Sequence, residues 1–544
     1  MVVRATTDSV FTEFYDSGLA HAQIMANKNA HWDAEEAAGA MAADLYPAWS
    51  GRAQCKNGIA DAVPGLANHQ FKCRNFDLYS FKPHADLGCP SARGSGSWGW
   101  VDEQSGREFI ANGCYEGTSF LEITKDGDIK YLGFLTSAAP LGRYSQWHEL
   151  RNYSHYIIVG SELELHGIQI FDFKKLLTIT DAQAPVIFDG RPNSTDLTSH
   201  FQPTIYGRSH NVHVPHNYAR VPYIVTMGHG PRLTPNNCNS GAIFWDVTDI
   251  EEPKFLGCAG QDGYVHDIEC MIYKGPDARY DGIDICYGYN EDTLTIYDIT
   301  NWNASTIISR TSYTGASYTH QGAVLDIHNQ KYLVLDDETD ETKFVGPAAD
   351  QFPVTYVWDI SDLRNPKQTG LYKATDRGID HNQYIHGDYV YQSNYGAGLR
   401  VYDVSSISAG NTKGDEVCEV GFIDIFPEDD KLPGGGNATY SGTWSHYHGF
   451  PSGYTFINTI ERGAFVAKQA QAFPKCKKTC NADNCLRTLR GPSKLAESQA
   501  FCGEFTKTVN VNVTQVVSYA ASACANGGNV ISRVSSACAC LPTA

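Results

Sequence analysis

No apolar run in this chain of 544 residues reaches the roughly 20 needed to cross a bilayer as a helix. A helical membrane span is therefore excluded. The opening, MVVRATTDSV, lacks the long apolar core of a secretory leader, so a mature chain with its leader already removed is expected. Lysine is scarce through the middle and the formal charge is −19, which disfavours nucleic acid and other polyanions as partners. There is no G-x-S-x-G elbow and no Ser-His-Asp signature. The acidic stretch GPDARYDGID does not have EF-hand spacing and reads as a loop. After residue 469 the cysteines never form a C-x-x-C pair, which favours disulfides there over a zinc site.

What is present points outward from the cytosol. Sixteen cysteines and five N-x-S/T sequons (Asn152, Asn193, Asn303, Asn437 and Asn512) suit an oxidising, secretory environment. By proximity the expected disulfides are Cys55–Cys73, Cys238–Cys258 and Cys270–Cys286; sequence alone does not fix the rest. Aromatic residues are 12% of the chain, with 31 tyrosines and 50 glycines, as twisted sheets with tight turns require.

A repeat fills the middle. An apolar run ending in an aromatic residue or Ile, then Asp, then a Ser or Thr turn, appears as IQIFDF at 168, AIFWDVTD at 242, LTIYDITN at 294, TYVWDISD at 355 and LRVYDVSS at 399. SFLEITKD at 119 and GAFVAKQ at 463 are degenerate copies, which makes seven. Each is preceded by another β-rich run, and that by a third run carrying a histidine. A unit of three or four strands returning about every 50–65 residues, with no long helix between units, predicts an all-β, seven-bladed β-propeller. The expected organisation is a helical N-terminal segment (1–54, containing the Ala- and Glu-rich DAEEAAGAMAADLYPAW), the propeller (55–468) and a disulfide-rich, helical C-terminal extension (469–544).

Long stretches resemble a known family. WGWVDEQSGREF, DGYVHDIECMIYKGPD, NEDTLTIYDIT, YTHQGAVLD, YLVLDDETDE and IDHNQYIHGDYVYQSNYGAGLRVYDVS are similar to the secreted choice-of-anchor B family of LVIVD-repeat β-propellers, over roughly residues 50–468. The tail DNCLRTLRG…SQAFCGEFT…SSACACL resembles a cysteine-rich extension of many secreted ascomycete proteins. The resemblance implies a propeller, a fungal source and an extracellular or cell-wall location; it implies little about mechanism.

Six histidines recur at the third run: His148, His210, His266, His320, His381 and His446. Inner strands of a propeller line its channel, so residues at one repeat position can form a ring about the axis. Two readings are open. His210, His266, His320 and His381 are the candidate ligands of a divalent ion (copper, zinc and calcium are not distinguished), with His148 and His446 completing or gating the ring. The bland alternative is hydrogen-bonding cement within each blade. Asn211, Asp267, Gln321 and Asn382 follow the histidines, but strand alternation turns them to the other face. Carboxylates at Glu162, Glu291, Asp292, Asp337, Glu338 and Glu461 stand after the second strands, either at a channel mouth or as turn chemistry. Glu461 and Arg462, with His148 and His446, are the catalytic candidates: Arg462 as a clamp for an acidic substrate, or as half of a structural Glu–Arg pair. Tyr264, Tyr318 and Tyr395 are placed at the rim for sugar stacking, or simply pack. His210, His213 and His216 do not form a helical zinc motif.

Three functional classes follow. One is a secreted, metal-binding and catalytic propeller, including an oxidase. One is a polysaccharide lyase or hydrolase acting through His and Arg. The third is a non-catalytic extracellular binding module. The expected partner is an extracellular polysaccharide or small molecule, with the chain as a monomer.

Overall fold

The computed structural model describes residues 9–140, 142–230, 238, 240–476, 484–505, 516–525 and 530–541. The chain divides into two compact units, Met1–Pro474 and Lys475–Ala544. The first is a β-propeller. Its strands form seven sheets, each built outward from an inner strand. In one of them Asp267–Ile272, Asp284–Tyr289, Leu294–Asp298 and Thr306–Thr311 pair antiparallel in that order.

The repeated phrase is the third strand of each sheet, and its composition is explained by two constraints. Both faces are covered by neighbouring sheets, so the strand is mostly apolar on both, interrupted by single buried polar residues such as Gln169, Thr295 and Arg400: Phe120 stacks on Phe171 of the next sheet at 4.3 Å between ring centroids. The closing aspartate is turn chemistry. Asp172, Asp246, Asp298, Asp359 and Asp403 each accept a hydrogen bond from the backbone N–H two residues on. A bulge recurs between third and fourth strands, at Phe244/Trp245, Ile296/Tyr297, Val357/Trp358 and Val401/Tyr402. It adds the local twist that a radial arrangement needs.

Inner strands Gly94–Val101, His148–Tyr153, Asn211–His213, Asp267–Ile272, Thr319–Val324 and Gln383–His386 neighbour one another in chain order, and Thr443–Tyr447 packs back against the first. The ring closes on itself through Phe76–Pro83, which pairs with Gly463–Gln469 and so joins the two ends of the propeller. Trp49–Ala53 adds outside it. No edge of that sheet is left to the chain termini.

The N-terminal helices lie within the expected segment 1–54, most of their length upstream of the Ala- and Glu-rich stretch. α1 is Ser9–Asp16 and α2 is Leu19–Ala37. α2 ends within the Ala- and Glu-rich stretch because Gly39 takes φ +78°, a helix-terminating conformation. The buried face of α2 carries Ala20, His21, Ile24, Met25, Lys28 and Trp32. Two of these six are basic, and where they point is taken up below.

The expected bonds Cys55–Cys73, Cys238–Cys258 and Cys270–Cys286 are formed. Cys89–Cys114, not foreseen, is formed as well. These cross-links and the absence of free cysteine among the described residues fit folding in an oxidising compartment. Of the sequons, Asn193, Asn303 and Asn437 are exposed, and Asn512 lies outside the described residues. No described helix is long and apolar enough to cross a membrane.

The second unit is helical, with Asn484–Leu489, Leu495–Phe505, Ser518–Ala525 and Val530–Ala539 around Leu486, Leu489, Phe505 and Val534. Cys485–Cys524 and Cys502–Cys538 cross-link its helices. So small a core needs such staples. Cys480 lies outside the described residues.

Candidate metal centre

Four of the six histidines meet. Ring centroids are 4.3 Å apart for His210–His266, 4.4 Å for His266–His320 and 4.5 Å for His320–His381. The arc lies at the start of four consecutive inner strands, all of it buried.

Each imidazole is held from behind. The Nδ1–H of His266 donates to the carbonyl oxygen of His320 at 2.8 Å, and that of His381 to the carbonyl oxygen of Trp444 at 2.7 Å. His320 Nδ1 faces Asp336 Oδ1 at 3.2 Å, and His210 Nδ1 bonds Glu162 Oε1. With Nδ1 so engaged, Nε2 is the nitrogen left to the interior. His210 Nε2 and His266 Nε2 are 2.7 Å apart, and His381 Nε2 is 3.5 Å from Glu338 Oε1. A tautomer set by a carbonyl or carboxylate behind the ring is how proteins orient imidazole ligands. The residues that follow the histidines do not supply this support: Asp267 and Gln321 bond each other at 2.8 Å on the opposite face.

Burial pushes the pKa of His266 and His320 well below the ordinary value, and neighbouring imidazoles push the same way. His381 is pushed down to about 4, by burial first, with Glu338 opposing. These three are neutral at physiological pH and keep a lone pair for a ligand. Glu162 and Glu338 move below the usual carboxylate range: burial opposes this, but His21 and His210 outweigh it at Glu162, and above all Lys28 at Glu338.

The sequence reading missed the two residues that close the arc, both from α2. His21 Nε2 bonds Glu162 Oε1 at 2.6 Å, and its Nδ1 lies 2.6 Å from the Tyr318 hydroxyl. Lys28 Nζ is paired with Glu338 beneath the rings of Tyr395, Tyr440 and Trp444. His21, Glu162 and His210 each offer a ligand atom within 4.8 Å of the others, as do His320, Glu338 and His381. The signal available in sequence was a histidine and a lysine on the same helical stripe as Ile24, Met25 and Trp32.

His148 and His446 do not join. In their blades the ring position is taken by the tryptophan just upstream: Trp444 is 5.0 Å from His381 between centroids, and Trp147 is 6.2 Å from Trp444. A shift of one residue turns a strand side chain to the other face. His148 therefore packs on His166, 5.5 Å away, with neither ring nitrogen bonded. His446 faces the far end of the channel. Its Nδ1 bonds Ser393 Oγ at 2.8 Å.

Glu461 and Arg462 are a structural pair and not a mouth clamp. Glu461 accepts from the Gly442 N–H at 2.9 Å, while Arg462 bonds Glu428 and the Asn68 carbonyl oxygen and lies over Tyr46. Tyr264, Tyr318 and Tyr395 are at most 1% exposed, so they cannot stack on sugars. Tyr264 instead stacks on His21, and Tyr395 donates to Glu338 at 2.6 Å. Of the remaining carboxylates, Asp337 accepts the backbone N–H groups of Ser317 and Tyr318 and so anchors the loop that leads into the inner strand Thr319–Val324. Glu291 and Asp292 stay outside the arc, both raised by burial, Asp292 to about 7.

The end of the channel away from α2 opens into a cavity of about 530 Å³. Its lining includes Trp98, Arg151, His213, Asp267, Tyr384 and His446. Asp267 follows His266 directly in the chain, so the cavity reaches the layer next to the histidines. The Arg151 guanidinium lies 4.4 Å from the Trp98 ring centroid and donates to the Tyr384 hydroxyl at 3.2 Å.

His148 supplies a test of burial without partnership. Burial, then His166, lowers its pKa to about 3, against about 6.5 for a free imidazole. Below pH 6.5 the unfolded chain takes up a proton that the folded one refuses, so this contribution is complete above pH 6.5 and is lost as pH falls towards 3. Asp292, and Asp337 at about 6, act in the opposite direction: burial raises them, and their contribution is lost as pH rises through 6–7. A His148→Leu variant isolates the first effect. Its unfolding free energy is expected to fall less than that of the wild type between pH 6.5 and 4, by on the order of 2 kcal/mol. Parallel curves from denaturant titration would show that His148 is not buried neutral.

No protein-family model matches the chain, and no curated protein matches it. Among solved structures, the crystal structure of the computationally designed Ika8 protein is similar at 10% identity and a TM-score of 0.37, covering 69% of this chain and 82% of that one.

Proposed function

We propose that this chain is a secreted propeller that holds a borderline divalent ion, copper or zinc, in its channel and presents it to a small molecule or polysaccharide end entering from the open side. One observation carries the reading. Four imidazoles from four successive blades form one buried arc with each Nδ1 engaged behind, and its two ends, His210 with His21 and Glu162 and His320 with His381 and Glu338, each bring three ligand atoms within 4.8 Å of one another. A donor set of neutral imidazole nitrogens with carboxylates Glu162 and Glu338 suits such ions and is poor for calcium. The bound ion would supply Lewis acidity or redox chemistry. Arg151, between Trp98 and Tyr384, is the group placed to receive an acidic substrate, the role that Arg462 does not fill. This keeps a lyase or hydrolase as the second reading.

Two structural attributes belong to the same proposal. We infer seven blades, a reading supported by the seven sheets among the described residues and the cyclic contact of their inner strands. We place the chain with the choice-of-anchor B propellers of fungi, extracellular or at the cell wall, on the motifs quoted above.

Elemental analysis of the purified protein beside a His266→Ala, His320→Ala variant tests the centre. The wild type is expected to carry about one equivalent of copper or zinc and the variant less than a tenth of that. Equal metal content in the two would reject the site.

A further inference from the structure

Three acidic side chains meet next to the histidine arc with no charge to balance them. Asp340 and Glu341 lie in the single turn Asp340–Lys343, which follows the strand Tyr332–Asp337. Asp380 precedes the inner strand Gln383–His386 of the next blade. One carboxylate oxygen from each falls within 4.8 Å of the other two. All three side chains are buried, at 1%, 0% and 0% exposure.

Their oxygens are not satisfied. Neither oxygen of Asp380 receives a hydrogen bond; Asp340 Oδ2 accepts from the Tyr356 hydroxyl at 2.8 Å, and Asp340 and Glu341 lie within hydrogen-bonding reach of each other, which without a cation requires a proton held between them. No described lysine, arginine or histidine is paired with any of them. An unpartnered buried carboxylate is costly, and three converging ones more so. The three groups that converge are all carboxylates, in contrast to the nitrogen-rich arc beside them. Such a donor set is that of a hard cation, which takes six to eight oxygens and tolerates irregular geometry.

We propose that Asp340, Glu341 and Asp380 bind a calcium ion that clamps two neighbouring blades together. The clamp lies close to the other centre in the chain: Glu338 is two residues before Asp340, and His381 directly follows Asp380. It holds the two loops that deliver those groups, yet it uses none of their atoms, so it stands or falls separately from the channel metal.

The experiment uses the full chain after exhaustive dialysis against EGTA, titrated with calcium chloride to millimolar concentration. Calorimetry and the thermal unfolding midpoint are the two readouts. The wild type is expected to bind one calcium ion and to melt higher as calcium rises. Glu341→Gln and Asp380→Asn, each confirmed folded by circular dichroism in EGTA, are expected to bind at least tenfold more weakly and to lose the midpoint shift. The His266→Ala, His320→Ala variant is expected to keep calcium binding, which separates this site from the channel centre. A wild type that gives neither heat nor shift, or two carboxylate variants that bind as tightly as the wild type, would overturn the proposal.

Discussion

Trp32→Ala is expected to destabilise the propeller unit by about 3–5 kcal/mol, the range for truncating a buried aromatic side chain. Trp32 has no exposed surface, although it sits in a helix outside the blades. Its indole N–H donates to the Tyr440 carbonyl oxygen at 2.6 Å, and its ring lies 5.4 Å from that of Trp147 and 5.8 Å from that of Trp444. Those two tryptophans stand where a repeat-wide histidine ring would continue. α2 therefore seals the gap between the two ends of the arc with an aromatic cluster. Truncation removes the indole contacts, leaves a cavity, and strands the Tyr440 carbonyl. Guanidinium titration followed by near-ultraviolet circular dichroism reads both the stability and the cluster. Trp32→Phe is expected to recover most of the loss, and Leu19→Ala, at a side chain 53% exposed on the same helix, to change it by less than about 0.5 kcal/mol. A Trp32→Ala cost below about 1 kcal/mol would mean that α2 does not seal the channel.

The propeller was legible because its third strands obey a constraint visible residue by residue: buried on both faces, they are mostly apolar, and five of them end in an aspartate that bonds a turn. The arc His210–His381 was legible for the same reason, since those four blades share one register. Legibility ended where register changed. In QWHELR and WSHYHG the ring position belongs to Trp147 and Trp444; His148, one residue later, is turned away by the strand's period of two, and His446, two residues after Trp444, lies beyond the register shift between Thr443 and Ser445. Nothing in either hexapeptide announces which aromatic residue points inward. His21 and Lys28 were hidden by distance: their partners Glu162 and Glu338 lie 141 and 310 residues away in the chain. Arg462 stayed between two readings because a buried arginine beside a glutamate reads alike at a channel mouth and between blades; its contacts with Asn68 and Tyr46 favour the structural one.

Lys28→Met is expected to destabilise the metal-free protein by about 3–5 kcal/mol, and Glu338→Gln in the same chain to restore much of that loss. Lys28 is 1% exposed and Glu338 is fully buried, and each is the other's main charge partner. Burial lowers the Lys28 pKa, with Glu338 opposing, so the pair persists only as a pair. Removing the ammonium leaves a carboxylate with Tyr395 as its one close donor, while His320 and His381, held neutral by burial, offer no charge. The penalty is thus one of an uncompensated anion rather than of lost packing, which methionine largely preserves. A double-mutant cycle on unfolding free energies separates the two: a pair coupled through charge gives a double variant more stable than the sum of the singles by 2 kcal/mol or more. The same variant bears on the channel centre. With Lys28 gone, Glu338 is free to face a cation other than an ammonium group, and zinc affinity of Lys28→Met is expected to rise about tenfold in competition with a chromogenic chelator. Additive single effects, together with unchanged zinc affinity, would separate Lys28 from the centre and leave α2 as a plug alone.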